Sequence, residues 1–510
     1  MNKYIKNIII KSSLIGVFAL LLVSCEDYLD KNPLDQISSP TFWKTQADAD
    51  MALAGVYSRL NVSTYIFETQ AMLSVLAGDA NEAGQSLGAS SIGTLAAGTI
   101  EPTSGGIVNS IYEHSYQGIS SCNFFLENID KCAITDEVKN KYKGEVRFLR
   151  ALFYFTLSEF YSGVPLYTTT VDIEEAKVKQ SSKEEVIAQV LDDLDFAIAN
   201  LPNTDYSTSG HAVKGSALAL KSRVLLHQED WEGAADAANQ VITEGQFSLY
   251  HDFKNLFLVY GQTDNPEIIF STRFLNPDNF NQQDIRLQWH AILNPRQELV
   301  DAFECIDGLP ITESPLYDAD NWKLNRDPRM LLTLKHFSDP AVKASGEVVE
   351  YAYNGISLTG YEPDKFVDVE ALPIDYATKS EHDWILIRYA EVLLNYAEAK
   401  NEVSGPDPSV YNAINAIRAR PGIDMPPLPA GLTKDEMRAR IWQERRVELA
   451  LEGLRYGDIK RWKLAETYIP SLVDPGSNLH RQFDPAKHYL FPFPQSEIDI
   501  NDKLEQTPNY

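Results

Sequence analysis

The feature that most constrains this fold is a series of amphipathic helical segments joined by connections too short to let neighbours separate. Ala212 to His227 and Trp231 to Thr243 are divided only by Gln228-Glu229-Asp230, so the second helix must fold back along the first. Ile387 to Val403 and Ser409 to Arg420 repeat the arrangement across Gly405-Pro406-Asp407-Pro408. Asp136 to Tyr161 is a long helix with Val146, Leu149, Leu152, Phe153, Phe155 and Leu157 in register, stopped at Ser162-Gly163-Val164-Pro165. Thr45 to Leu60, Ile107 to Ile129 and Lys183 to Asn200 read as further helices. Thr433 to Gly453 is another, opened by Thr433 with Glu436 three residues on, and Leu454 to Lys463 extends it past a break at Gly453.

Two of the pairs look like tetratricopeptide units. In the first, Gly215-Ser216-Ala217 and Ala234-Ala235 supply small residues where helices must approach closely; in the second, Tyr389 to Ala399 is followed by Tyr411 to Ile417. Such pairs stack side by side, so the expected class is mainly α, a tetratricopeptide-like α-solenoid scaffold. Two regions break the pattern. Asn61 to Gly106 is dense in Gly and Ser, and Tyr250 to Leu386 is rich in Asn, Asp, Pro and aromatics, with short β-like runs such as Glu267-Ile268-Ile269-Phe270. A stretch as long as the first, inside a compact protein, is usually functional or mobile. The expected organisation is one domain over 41–510, with a helical scaffold at 41–249 and 387–470, a loop-rich, ligand-facing insert at about 250–386 and an irregular tail at 471–510.

The N-terminus fixes the compartment. Lys3, Lys6 and Lys11 precede an apolar run from Leu14 to Val23, about ten residues and too short to span a bilayer. The run ends at Leu22-Val23-Ser24-Cys25, which resembles a bacterial lipoprotein box with Cys25 as the acylated first residue of the mature chain. Residues 1–24 are then a signal peptide and 25–40 a lipidated tether. The acidic Glu26, Asp27 and Asp30 resemble a surface-export signal. A plain secretory signal with a chance cysteine is the alternative.

The formal charge is −27, and the removed segment carries three lysines and no acid. That argues against nucleic acid, whose phosphates need a basic footprint. Beyond Cys25, an odd number of cysteines remains, Cys122, Cys132 and Cys305; this is no disulfide framework, and buried free thiols are expected. No zinc-protease, nucleophile-elbow or phosphate-loop motif occurs. The nine histidines are scattered, and Asp318, Asp320 and Asp327 lack EF-hand spacing, so neither a metal nor a cofactor is expected. A carboxylate dyad of glycosidase type stays open in a chain with 72 acids. The charged stretch Arg445-Arg446 to Lys460-Arg461 alternates with acids and reads as a salt-bridged helix.

Several segments together carry a family resemblance. They are Cys25-Glu26-Asp27-Tyr28-Leu29-Asp30; Glu145 to Phe155 with Gly163-Val164-Pro165-Leu166; Arg388 to Ala399; Glu444 to Trp462; and Pro492-Phe493-Pro494 with Glu497-Ile498 and Gln506 to Tyr510. In this order they resemble the SusD/RagB family of outer-membrane nutrient-binding lipoproteins of Bacteroidetes. Phe493 and Thr507 depart slightly from its pattern, which often has Ile and Asn there. The resemblance implies a non-catalytic, surface-facing lipoprotein that binds an oligo- or polysaccharide and delivers it to a SusC-like TonB-dependent transporter. A peptide or other nutrient is the alternative ligand, and an α-helical carbohydrate-active enzyme the alternative class.

Sugar rings stack on aromatic faces and their hydroxyls seek amides and carboxylates. The expected binding residues come from the two irregular regions: Tyr65, Phe67 and Asn81 in the first, Phe280, Trp289, Tyr317 and Trp322 in the second, with Asn279 and Gln282 as polar partners. Trp43, Trp231, Trp442 and Trp462 lie in or beside helical segments and read as core.

Overall fold

The computed structural model describes residues 42–81, 91–289, 292–349, 357–375, 377–475 and 478–510. Cys25, the signal peptide and the tether lie outside them.

Most helices form close to where the sequence places them, but the one opened by Thr433 stops at Glu448 rather than Gly453, where the chain turns through Leu451 at a positive φ before Arg455–Arg461 begins. Asp136–Tyr161 and Lys183–Asn200 match residue for residue, because each start is capped by a side-chain oxygen: Thr135 accepts from the Val138 amide, and Ser182 forms a reciprocal capping box with Glu185. Ile107–Asn128 packs on Asp136–Tyr161, which packs on Lys183–Asn200. That helix meets Lys214–His227, which pairs with Trp231–Glu244. The stack then continues across a large gap in sequence. Tyr389–Ser404 lies on Trp231–Glu244, and Pro408–Arg418 and Lys434–Glu448 lie on Tyr389–Ser404. The middle third is therefore an insertion between two neighbouring layers of one helical array. Close packing needs a bare backbone at Gly118, where a Cβ would fall 2.4 Å from the Phe153 ring.

The first irregular region is less irregular than its composition suggests. It holds the helices Phe67–Leu76 and Ser91–Ala97. The insert is loop-rich and contributes strands to four two-stranded antiparallel ribbons among the described residues, one of them completed by Ala80–Asn81 of the first irregular region. In one of them Ile268–Thr272 pairs with Trp384–Arg388. Ile387 and Arg388 are thus strand, not the first turn of a helix, and Tyr389–Ser404 begins directly after them.

The alternating charges are scaffold. Arg445 bonds Asp458 at 2.8 Å, Arg446 bonds Asp79 at 2.6 Å, Arg461 forks onto Glu398, and Arg150 holds Asp193 at 2.8 Å. Lys460 donates to the Glu159 and Tyr489 carbonyls. Cys122, Cys132 and Cys305 are buried free thiols. Trp43 is core, and Trp442 stacks on Trp462 at 4.5 Å.

Candidate functional site

The loops of the insert and the start of the first irregular region meet in a recess of about 210 Å3. Its position follows from local hydrogen bonding. Leu275 and Asn279 exchange backbone bonds across a tight turn, and Asn281 pairs with Ser380 on the neighbouring segment. Phe280 is held between these two anchored residues and stands 40% exposed at the mouth. The Lys379 ammonium lies 4.6 Å from its ring centroid. Below it the floor is aromatic: Phe67 meets Trp384 edge-on at 5.5 Å, and Trp384 tilts against Phe366 at 4.9 Å.

Amides line the rest. Asn61 donates to Asn279 Oδ1 at 3.0 Å, and Asn281 Nδ2 to the His382 carbonyl at 2.8 Å. Gln283, 3% exposed, donates to the Phe366 carbonyl, while its Oε1 has no partner among the described residues. A buried acceptor left open beside a recess is a place for a polar ligand or a water. Behind the wall, burial pushes the Asp383 carboxyl up to about 6, opposed by the Phe274 amide at 2.9 Å and by Arg273. Asp383 thereby fixes the backbone of Phe274, itself on the lining.

Of the sequence-derived residues, Phe280 and Phe67 come together here, with Gln282 beside them and Asn279 bonded to the lining residue Asn61. Phe67 is buried at 3% and serves as floor rather than as an open stacking face. Tyr65 is 1% exposed; its hydroxyl bonds Ser115 and its ring packs on Phe153, so it is core. Asn81 is also buried, gripped by Arg296, Arg481 and Asp474. Tyr317 and Trp322 belong to a different aromatic group: Arg326 lies over Tyr317, and Trp322 meets Tyr361 edge-on at 5.5 Å. Trp289 ends a π-helical turn, and its side chain lies outside the described residues. The recess also uses Asn61, Phe274, Asn281, Gln283, Arg286 and Trp384. The aromatic and amide-rich composition of the insert was the available signal for all of them but Asn61; which of these residues converge depends on pairings with distant segments.

A stack of helix pairs whose inserted loops carry an aromatic, amide-walled recess defines a class of ligand-binding scaffold. The chain belongs to the SusD-like family. The SusD family model matches residues 266–510, and a second, described as "Starch-binding associating with outer membrane", matches residues 27–226. SusD-like protein P2 of Formosa agariphila is 28% identical over 97% of this chain and 98% of its own length. A SusD-like carbohydrate-binding protein of Bacteroides fragilis is 27% identical, covers 91% of this chain and 100% of its own, and superposes with a TM-score of 0.81. A laminarin-binding SusD-like protein is 25% identical over 92% of this chain and 100% of its own, with a TM-score of 0.71.

Proposed function

We propose that this protein is a surface-facing outer-membrane lipoprotein, anchored through Cys25, that binds a glycan at the Phe280 recess without chemical turnover and passes it to a SusC-like TonB-dependent transporter. The observation that carries the reading is the pairing of a half-exposed Phe280 ring with an amide wall containing the Gln283 Oε1, an acceptor with no partner among the described residues. The ring offers an apolar face to a pyranose, and the amides offer donors and acceptors to its hydroxyls. At about 210 Å3 the recess is smaller than the usual 300–1,000 Å3 enclosed small-molecule site, which suits an extended polymer met from outside. The carbohydrate-binding and laminarin-binding relatives support the same ligand class.

The test is affinity electrophoresis of the soluble chain from Glu26 onward against plant, host and microbial glycans, laminarin among them, with peptides as a parallel arm. Retardation by one glycan that is recovered intact is the expected result. Retardation by peptides alone, or cleavage of the retained glycan, overturns the reading. Isolation of the anchored protein from outer membranes should bring a TonB-dependent transporter with it; recovery without one counts against the delivery step.

A further inference from the structure

A larger cavity, about 560 Å3, opens between the Ile107–Asn128 helix, the segment 167–177 and the C-terminal helix Gln495–Ile500. It shares no lining residue with the Phe280 recess. Three tyrosines build its wall. The Tyr116 ring lies 4.7 Å from Tyr112 and 5.8 Å from Tyr167, centroid to centroid, at 53° and 65°. The Tyr116 hydroxyl donates to the Pro165 carbonyl at 2.7 Å and that of Tyr167 to the Ala176 carbonyl at 2.6 Å. With those hydroxyls committed, Tyr116 and Tyr167 have their π-systems left to offer.

Two carboxylates from different elements line the same space. Glu113 stands on the long helix, where its Oε1 accepts from Gln117 at 2.9 Å. Glu497, from the C-terminal segment that helped carry the family resemblance, makes no side-chain hydrogen bond or ion pair among the described residues. Burial, and then the negative charge of Glu113, pushes the Glu497 carboxyl up. The cations on the lining answer neither acid: Lys177 holds Glu174 at 3.0 Å, and Arg59 donates to Ser121 Oγ at 2.9 Å.

We propose that this cavity binds a small organic ammonium cation, its charge held between Glu113 and Glu497 and its substituents packed on Tyr112, Tyr116 and Tyr167. Aromatic faces attract a cation through the ring quadrupole, most strongly where water is displaced. A neutral sugar would leave the two acids on this lining without a counter-charge, and an anion would add to the negative charge there. Only a cation relieves the pair and uses the tyrosines together.

Calorimetric titration of the purified mature chain with choline, and with its uncharged isostere 3,3-dimethylbutan-1-ol, tests this. Choline should bind at least about tenfold more tightly than the alcohol. Glu497→Gln and Glu113→Gln should each weaken choline by about tenfold while the melting transition stays in place. Retention on any glycan gel should be unaffected by choline. No choline binding, or equal binding of the alcohol, overturns the proposal, and that comparison needs no variant to fold.

Discussion

Arg388 Nη1 meets Glu448 Oε1 at 2.7 Å, with both side chains almost wholly withdrawn from solvent. The contact joins the strand that leads into one helix to the last turn of another. The same guanidinium bonds Glu452 and Glu267, while Arg420 and Arg329 approach Glu448 at 2.8 and 3.0 Å. Burial pushes the Glu448 carboxyl up, and the three guanidinium groups outweigh it and hold it well below the usual range. Lys365 adds a bond to Glu452 at 2.6 Å. The insert, supplying Glu267, Arg329 and Lys365, is thus tied to the helical array by charge as well as by packing.

Removing one member of such a network leaves its partners buried and uncompensated. Arg388→Met should cost about 3–5 kcal/mol of stability, read as a lower urea midpoint with an unchanged slope. A loss under about 1 kcal/mol would mean that the network behaves as surface pairs do and that packing alone seats the insert.

Acid should weaken the scaffold through a second pair. Glu159 Oε2 lies 2.5 Å from His227 Nδ1. Burial pushes the Glu159 carboxyl up, but the charges of His227, Lys183 and Lys460 outweigh it and bring it to about 2, against an ordinary 4.5. Between those values the unfolded chain binds the extra proton, so stability rises with pH there. The contribution, up to about 3 kcal/mol, is full above the ordinary value and fades as pH falls towards 2. Glu159→Gln should therefore lose less stability on acidification than the parent; equal acid slopes would remove Glu159 from the account.

Gly453 makes a separate demand on the backbone. Its φ is +85°, and a Cβ there would fall 2.2 Å from the Gln70 carbonyl oxygen. Gly405 has a similar φ of +76° but nothing within 4 Å. Gly453→Ala should cost about 1–3 kcal/mol more than Gly405→Ala. Equal melting points for the two variants would show that the Phe67–Leu76 helix can yield.

The helical array was legible because its signals are local: an apolar stripe, a capping oxygen and a short turn all lie within one segment. The strand at Ile387 and Arg388 was not, since Trp384–Arg388 reads equally as the start of a helix until Ile268–Thr272 arrives to pair with it. The same distance effect governs the recess. Phe280 was readable as an aromatic in an irregular region, but nothing near Tyr65 announces the Phe153 ring that buries it. Asn81 looks like a free amide until Arg481, 400 residues further on, bonds it.

The two aromatic groups of the insert should separate in a binding assay. Phe280→Ala removes the exposed ring at the recess and should weaken glycan binding by more than about 1 kcal/mol with the fold intact. Trp322→Ala removes a half-buried ring from Tyr361 and should lower the melting point while leaving affinity in place. Loss of affinity in the Trp322 variant at an unchanged melting point would move the site to the Tyr317 and Trp322 group.

The anchor is tested by Cys25→Ala. Each buried acyl CH2 contributes about 0.8 kcal/mol, and one chain alone gives only reversible attachment, so a lasting hold needs a second signal, which further chains on the same residue supply. No helix among the described residues is long and apolar enough to cross a membrane. If the lipid is the hold, the variant should leave the membrane fraction for the soluble one, and the parent should lose surface labelling when acylation is blocked. Retention of the variant in the outer-membrane fraction with residues 1–24 removed would assign the attachment to a protein partner, and the transporter would be the first to delete.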